Sequence, residues 1–218
     1  VDVRLPSTPH YLIISRANSF SIDCKTLAPI WEEVAADFAA DKNVVIAKVD
    51  AEAENSKATA KSQGVSSYPT IKFFPRGSTE PEDYSGSRTE NDILAFVNSK
   101  AGTHRVPGGG LDDTAGTVAA FDKVIKKLTG GGNIAEVAAE AGQVALSLRD
   151  LAERKYAEYY VKVFSKMAAS EGYAAKELKR LEGLLSKGNL AKTKEDEMRM
   201  KSNILRKFLG KTAAHEEL

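Results

Sequence analysis

The side chain with the most chemistry to offer is Cys24, the single cysteine among 218 residues. Leu27, Ile30, Trp31, Val34 and Phe38 follow it at spacings that line one face of a helix, which puts Cys24 at the helix start. Unpaired N–H groups and the macrodipole favour an anion there. A thiol with a pKa near about 8.5 can be brought to ~3.5–7.5 in such a place, so thiolate formation is easier than in mid-chain. One cysteine allows no internal disulfide, and cysteine usage alone names no redox compartment. His10, His104 and His215 are scattered without metal-ligand spacing, so neither a metal site nor a cofactor is expected.

Composition narrows the partners. Hydrophobic residues make up 42% and charged residues 28%, as expected of a soluble globular protein. No apolar run approaches the ~18 residues that a membrane span needs, so no membrane insertion is expected. Net charge is +1, with 12 basic against 14 acidic residues before Leu111 and 19 against 16 from there on. Neither half has the basic excess that nucleic-acid binding shows.

The elements that must position Cys24 follow in order. The chain begins at Val1 without an initiator Met or a signal-like segment, which reads as a mature product or a fragment. Residues 1–23 hold little periodicity beyond Tyr11-Leu12-Ile13-Ile14, a candidate strand over residues 11–15. A helix is expected from Cys24 to about Ala40, kinked at Pro29, then a β-branched strand over residues 43–50. A short helix over residues 56–63 has Ser56 as its cap and Gly64 as its stop. Strands at residues 70–74 and 82–84 flank the breaker Pro75-Arg76-Gly77, and a helix runs over residues 89–98. Pro107-Gly108-Gly109-Gly110 reads as a flexible linker.

Beyond it, strand formers give way to Ala, Lys, Glu and Leu. Apolar residues recur at helical spacing in Val118, Phe121, Ile125 and Leu128, and in Tyr156, Tyr159, Tyr160, Val163, Phe164 and Met167. Leu178, Leu181 and Leu185 form another such stripe, and Ile204, Leu205, Phe208 and Leu209 the last, a bundle of about five helices. The long tyrosine stripe reads as core, with at most one ring left for unfolded clients. The charged run over residues 192–199 reads as a solvated face or an interhelical loop.

Cys24-Lys25-Thr26-Leu27-Ala28-Pro29, followed by an aromatic and acidic helix, resembles the active-site helix of the protein disulfide isomerases, a thioredoxin-fold family. The family places Trp-Cys-Gly-His-Cys across this junction, and its last cysteine matches Cys24. The resemblance therefore gives Cys24 the resolving position and sets Ser21 where the attacking cysteine stands. Tyr68-Pro69-Thr70 occupies the place of the family's cis-proline loop, whose backbone holds an extended client peptide. On its own, Pro69 would simply begin a strand.

The helical half resembles the C-terminal domain of Windbeutel-type chaperones of the endoplasmic reticulum, which also closes a fungal and plant-like class of disulfide isomerases. The tail His215-Glu216-Glu217-Leu218 resembles the Lys/His-Asp-Glu-Leu retrieval signal, with Glu at its second place. The expected fold is α/β plus all-α, with residues 1–23 outside the family and a thioredoxin-like domain over 24–105, incomplete at its N-terminal side. A linker over 106–113, a helical domain over 114–211 and a tail over 212–218 complete it. The resemblance implies a disulfide isomerase of the endoplasmic reticulum lumen whose own catalysis is impaired. Its partners would be unfolded or disulfide-bearing secretory proteins and, through the tail, a retrieval receptor. The alternatives are a redox-silent chaperone and an interaction module.

Overall fold

A computed structural model describes residues 10–16 and 22–210, which divide into two compact units between Gly110 and Leu111. The first unit is built on a mixed sheet of four strands among the described residues, ordered β2-β1-β3-β4. Strand β1(His10–Arg16) runs parallel to β2(Val44–Asp50) and antiparallel to β3(Thr70–Phe74), which pairs with β4(Glu82–Asp83). Leu12 and Ile14 of β1 and Ile71 and Phe73 of β3 alternate onto one face. Against them pack Leu27, Trp31 and Val34 of α1(Ile22–Asp37) and Ile93, Leu94 and Val97 of α3(Glu90–Ala101).

Tyr11-Leu12-Ile13-Ile14 is therefore the spine of the sheet, and the expectation that residues 1–23 lie outside the thioredoxin-like domain is corrected. A strand with neighbours on both sides needs only a run of apolar residues, so it carries no motif by which the family could be recognised. The helix after Cys24 ends at Asp37, with turns to Ala40, and Pro29 lies inside it. Helix α2(Lys57–Ser62) starts after Ser56, whose side chain makes no capping hydrogen bond, and Gly64 beyond it takes φ +68°. Thr89 caps α3 by accepting from the Asp92 N–H at 3.2 Å.

The expected flexible linker is a hairpin instead. Strands β5(Arg105–Val106) and β6(Gly110–Leu111) pair across a turn closed by the Gly109 N–H donating to the Val106 carbonyl at 3.0 Å. Two glycines at positive φ, Gly108 and Gly109, make the turn, so the residues that signal flexibility here serve a tight reversal.

Among its described residues the second unit holds a 3₁₀ turn at Ala119–Phe121 and five α-helices: α4(Asp122–Thr129), α5(Ile134–Ser147), α6(Leu151–Ala169), α7(Tyr173–Leu185) and α8(Lys192–Phe208). Tyr160, Val163 and Phe164 of α6 are fully buried with Phe121, Leu181, Ile204 and Leu205. The Phe121 and Tyr160 rings stack at 4.3 Å between centroids. Asn203 of α8 ties down the segment that enters the bundle, its Nδ2 donating to the carbonyls of Asp112 at 2.9 Å and Ala115 at 3.1 Å. The run over residues 192–199 is the first half of α8 and not a loop.

Candidate functional site

Cys24 is the third residue of α1 and is buried at 9% exposure. Leu27, Trp31 and Val34, on the same helical side, anchor α1 against the sheet and hold the first turn in place. Two residues before Cys24, Ile22 is 79% exposed, so an apolar side chain stands in solvent close in sequence to a covered thiol. Ser21, predicted at the position of the attacking cysteine, lies outside the described residues, as does the predicted retrieval tail His215, Glu216, Glu217 and Leu218.

Tyr68, Pro69 and Thr70 lead into β3, and the Tyr68–Pro69 peptide bond is cis. Pro69 therefore both precedes a strand and adopts the predicted isomer. Thr70 pairs in register with Ser15 of β1, whose C-terminal end feeds the connection to α1. The topology thus brings the proline turn and the start of the Cys24 helix to one end of the sheet. Sequence reasoning missed Arg88, whose guanidinium donates to the Pro69 carbonyl at 3.3 Å, and the Thr70 hydroxyl, which donates to the Ser67 carbonyl at 2.6 Å. Both brace the turn. A lone arginine in a polar stretch gives no signal of such a role.

Among the described residues no group of three or more His, Cys, Asp or Glu side chains could hold a metal ion. His10 is engaged structurally: its ring stacks on Phe73 at 5.5 Å and its Nδ1 accepts the Arg76 N–H at 3.1 Å. Burial and the nearby Arg76 charge lower its pKa. No described helix is long and apolar enough to cross a membrane.

In the helical unit, a groove of about 530 Å³ runs between α6 and α8, with Tyr156, Tyr159, Met200 and Ile204 as its apolar lining. Lys201 places its ammonium 5.5 Å from the centre of the Tyr159 ring. The Tyr159 hydroxyl is buried without a hydrogen-bond partner, and burial raises its pKa well above the usual phenol value, assisted by the Glu177 charge. The stripe is thus core on its Tyr160 side and half-buried at Tyr156 and Tyr159.

Residues 10–99 match the family described as Thioredoxin, and residues 116–208 match "Endoplasmic reticulum protein ERp29, C-terminal domain". The chain is 58% identical over 197 residues to "Protein disulfide-isomerase erp38" of Neurospora crassa, covering 89% of this chain and 53% of that protein. It is 54% identical over 187 residues to "Protein disulfide-isomerase tigA" of Aspergillus niger, covering 86% of this chain and 50% of that one. A plant relative, "Probable protein disulfide-isomerase A6" of Medicago sativa, is 39% identical over 185 residues, covering 84% of this chain and 50% of its own. The chain spans about half the length of these relatives. A thioredoxin domain whose sheet starts at His10, followed by a helical domain of the ERp29 type, makes the chain a member of the protein disulfide-isomerase family.

Proposed function

We propose that this chain is a disulfide-isomerase family member of the endoplasmic reticulum lumen in which client binding outlasts dithiol catalysis. The observation that carries this reading is a single cysteine, buried at the start of α1, in a chain so similar to named disulfide isomerases. Thiol–disulfide exchange needs an exposed thiolate to attack and a second thiol to release the mixed disulfide. Cys24 supplies the resolving thiol, and Ser21 stands in sequence where the attacking one belongs. A helix start is worth ~0.3–1 kcal/mol to an anion, under one pKa unit, so a serine hydroxyl stays far from ionised. Clients, unfolded or disulfide-bearing secretory polypeptides, would lie along the Tyr68-Pro69-Thr70 backbone as an added strand. The tail His215-Glu216-Glu217-Leu218 would engage a retrieval receptor.

Alkylation of Cys24 tests the site. In the folded chain the thiol should react at least about tenfold more slowly than in urea, because its burial excludes the reagent. Equal rates would remove the shielded resolving role. A second reading, a redox-silent chaperone, draws on the α6–α8 groove, whose Tyr156 and Met200 could receive aliphatic or aromatic side chains of unfolded polypeptide. Suppression of client aggregation by residues 111–218 alone, lost in Tyr156→Ala, supports that reading. Suppression that needs residues 10–110 sets it aside.

A further inference from the structure

The groove between α6 and α8 joins an apolar lining to a surplus of positive charge. Tyr156 and Tyr159 come from α6, and Met200 and Ile204 from α8. The charged residues that line it are Lys155, Lys162 and Lys201 against Glu158 and Glu197. Glu197 is already met from within α8, by Lys194 at 2.7 Å and by Lys201. Glu177 of α7, which acts on Lys162 from outside the groove, is held by the Arg180 guanidinium through two hydrogen bonds at 2.7 Å. Lys155 and Lys162 are exposed. A ligand that suits this groove offers an apolar side chain with carboxylates next to it.

The chain carries such a segment at the end of the same helix. Leu218 follows Glu216 and Glu217. Helix α8 ends at Phe208, and Gly210 takes φ +63°, the left-handed turn that carries a chain off a helix axis. Lys201 and Glu197 lie about 10 and 16 Å back along α8 from Phe208. Residues 211–218, fully extended, span up to about 26 Å, so Leu218 has the length to reach them. A short tether also holds its end near the groove at an effective concentration on the order of millimolar. A site with a Kd of about 1 mM is then filled about half the time.

We propose that residues 215–218 dock in the α6–α8 groove of their own chain, with Leu218 against Tyr156 and Met200 and with Glu216 and Glu217 beside Lys155 and Lys162. A docked tail and a polypeptide in the groove exclude each other. Filling the groove therefore frees the tail, and capture of the tail by another protein frees the groove, by the same factor. The inference depends neither on a client for the groove nor on a receptor for the tail.

Methionine methyl NMR tests it, comparing the full chain with one that stops after Gly210. Loss of the tail should shift the Met200 methyl and leave Met167, which packs on the core of the bundle, where it was. About 1 M salt, which shortens the Debye length to ~3 Å, should move the full chain towards the shortened one. Lys155→Glu with Lys162→Glu should shrink the difference at Met200 at least about threefold, and adding Glu216→Lys with Glu217→Lys to that variant should restore it. The tail variant by itself alters neither buried core, so it decides the matter even where the shortened chain folds poorly. A Met200 methyl that ignores both the loss of the tail and its charge reversal would overturn the proposal. A charge swap that restores nothing would do the same. A shift that fades on dilution from about 1 mM to about 10 µM would place the tail in the groove of a second copy, and would overturn it too.

Discussion

Tyr160 shows at the scale of a residue why the aromatic stripe of α6 had to be core. Its ring stacks on Phe121, and its hydroxyl oxygen accepts the Val118 N–H at 3.3 Å. Burial pushes its pKa up to about 12, with the Val118 bond acting in the other direction. Tyr160→Phe keeps the stack and strands a buried N–H, which should cost about 1–3 kcal/mol, read as a lower urea midpoint at unchanged slope. Lys72 gives the opposite case. Its side chain is 9% exposed and pairs with Asp83, whose side chain is 72% exposed. Lys72→Met leaves no buried charge behind and keeps the apolar stem, so it should change stability by less than about 1 kcal/mol in the same measurement.

At the scale of elements, caps and ion ladders set helix ends and faces. Thr89→Ala should lower stability by about 1 kcal/mol through the loss of the α3 cap, checked by denaturant unfolding. On α8, Glu197 accepts from Lys194 at 2.7 Å and pairs with Lys201, and these bonds bring its pKa down to about 2. A lowered folded pKa stabilises above the ordinary glutamate value and is lost as pH falls towards 2. The ladder is solvent-exposed and screened, so Glu197→Gln should cost well under about 1 kcal/mol at neutral pH and nothing at about pH 2.

Legibility in the sequence followed the same divide between elements. Thr70–Phe74 and the helix behind Cys24 were readable because β-branched runs and 3.6-residue periodicity act locally. Tyr11–Ile14 was readable as a strand but not as the centre of a sheet, since its neighbours lie about 30 and 60 residues away in sequence. Residues 192–199 read equally as a solvated face or an interhelical loop, because an exposed helix face and a charged loop share a composition, and they form the first half of α8. Cys24 and Pro69 could be named from the sequence, whereas the Arg88 brace arises only from the packing of distant segments.

At the scale of the whole chain, each unit has its own core. Phe121, Tyr160, Phe164, Leu205 and Phe208 belong to one buried cluster within the helical unit, and Asn203 fastens the segment at Asp112. Residues 111–218 alone should therefore give a helical circular-dichroism spectrum and a cooperative melt, and a broad melt would place the boundary elsewhere. The central claim, that this member of the family has lost dithiol turnover and kept the scaffold for it, is open to one direct measurement. Catalysed reduction of a test disulfide, followed over many turnovers with the full chain and with its Ser21→Cys variant, should show no turnover above the buffer rate for the chain as it is. It should rise by orders of magnitude in the variant, which restores the Cys-x-x-Cys spacing ahead of a folded α1. Rapid turnover by the unaltered chain would contradict the account and give Cys24 the attacking role.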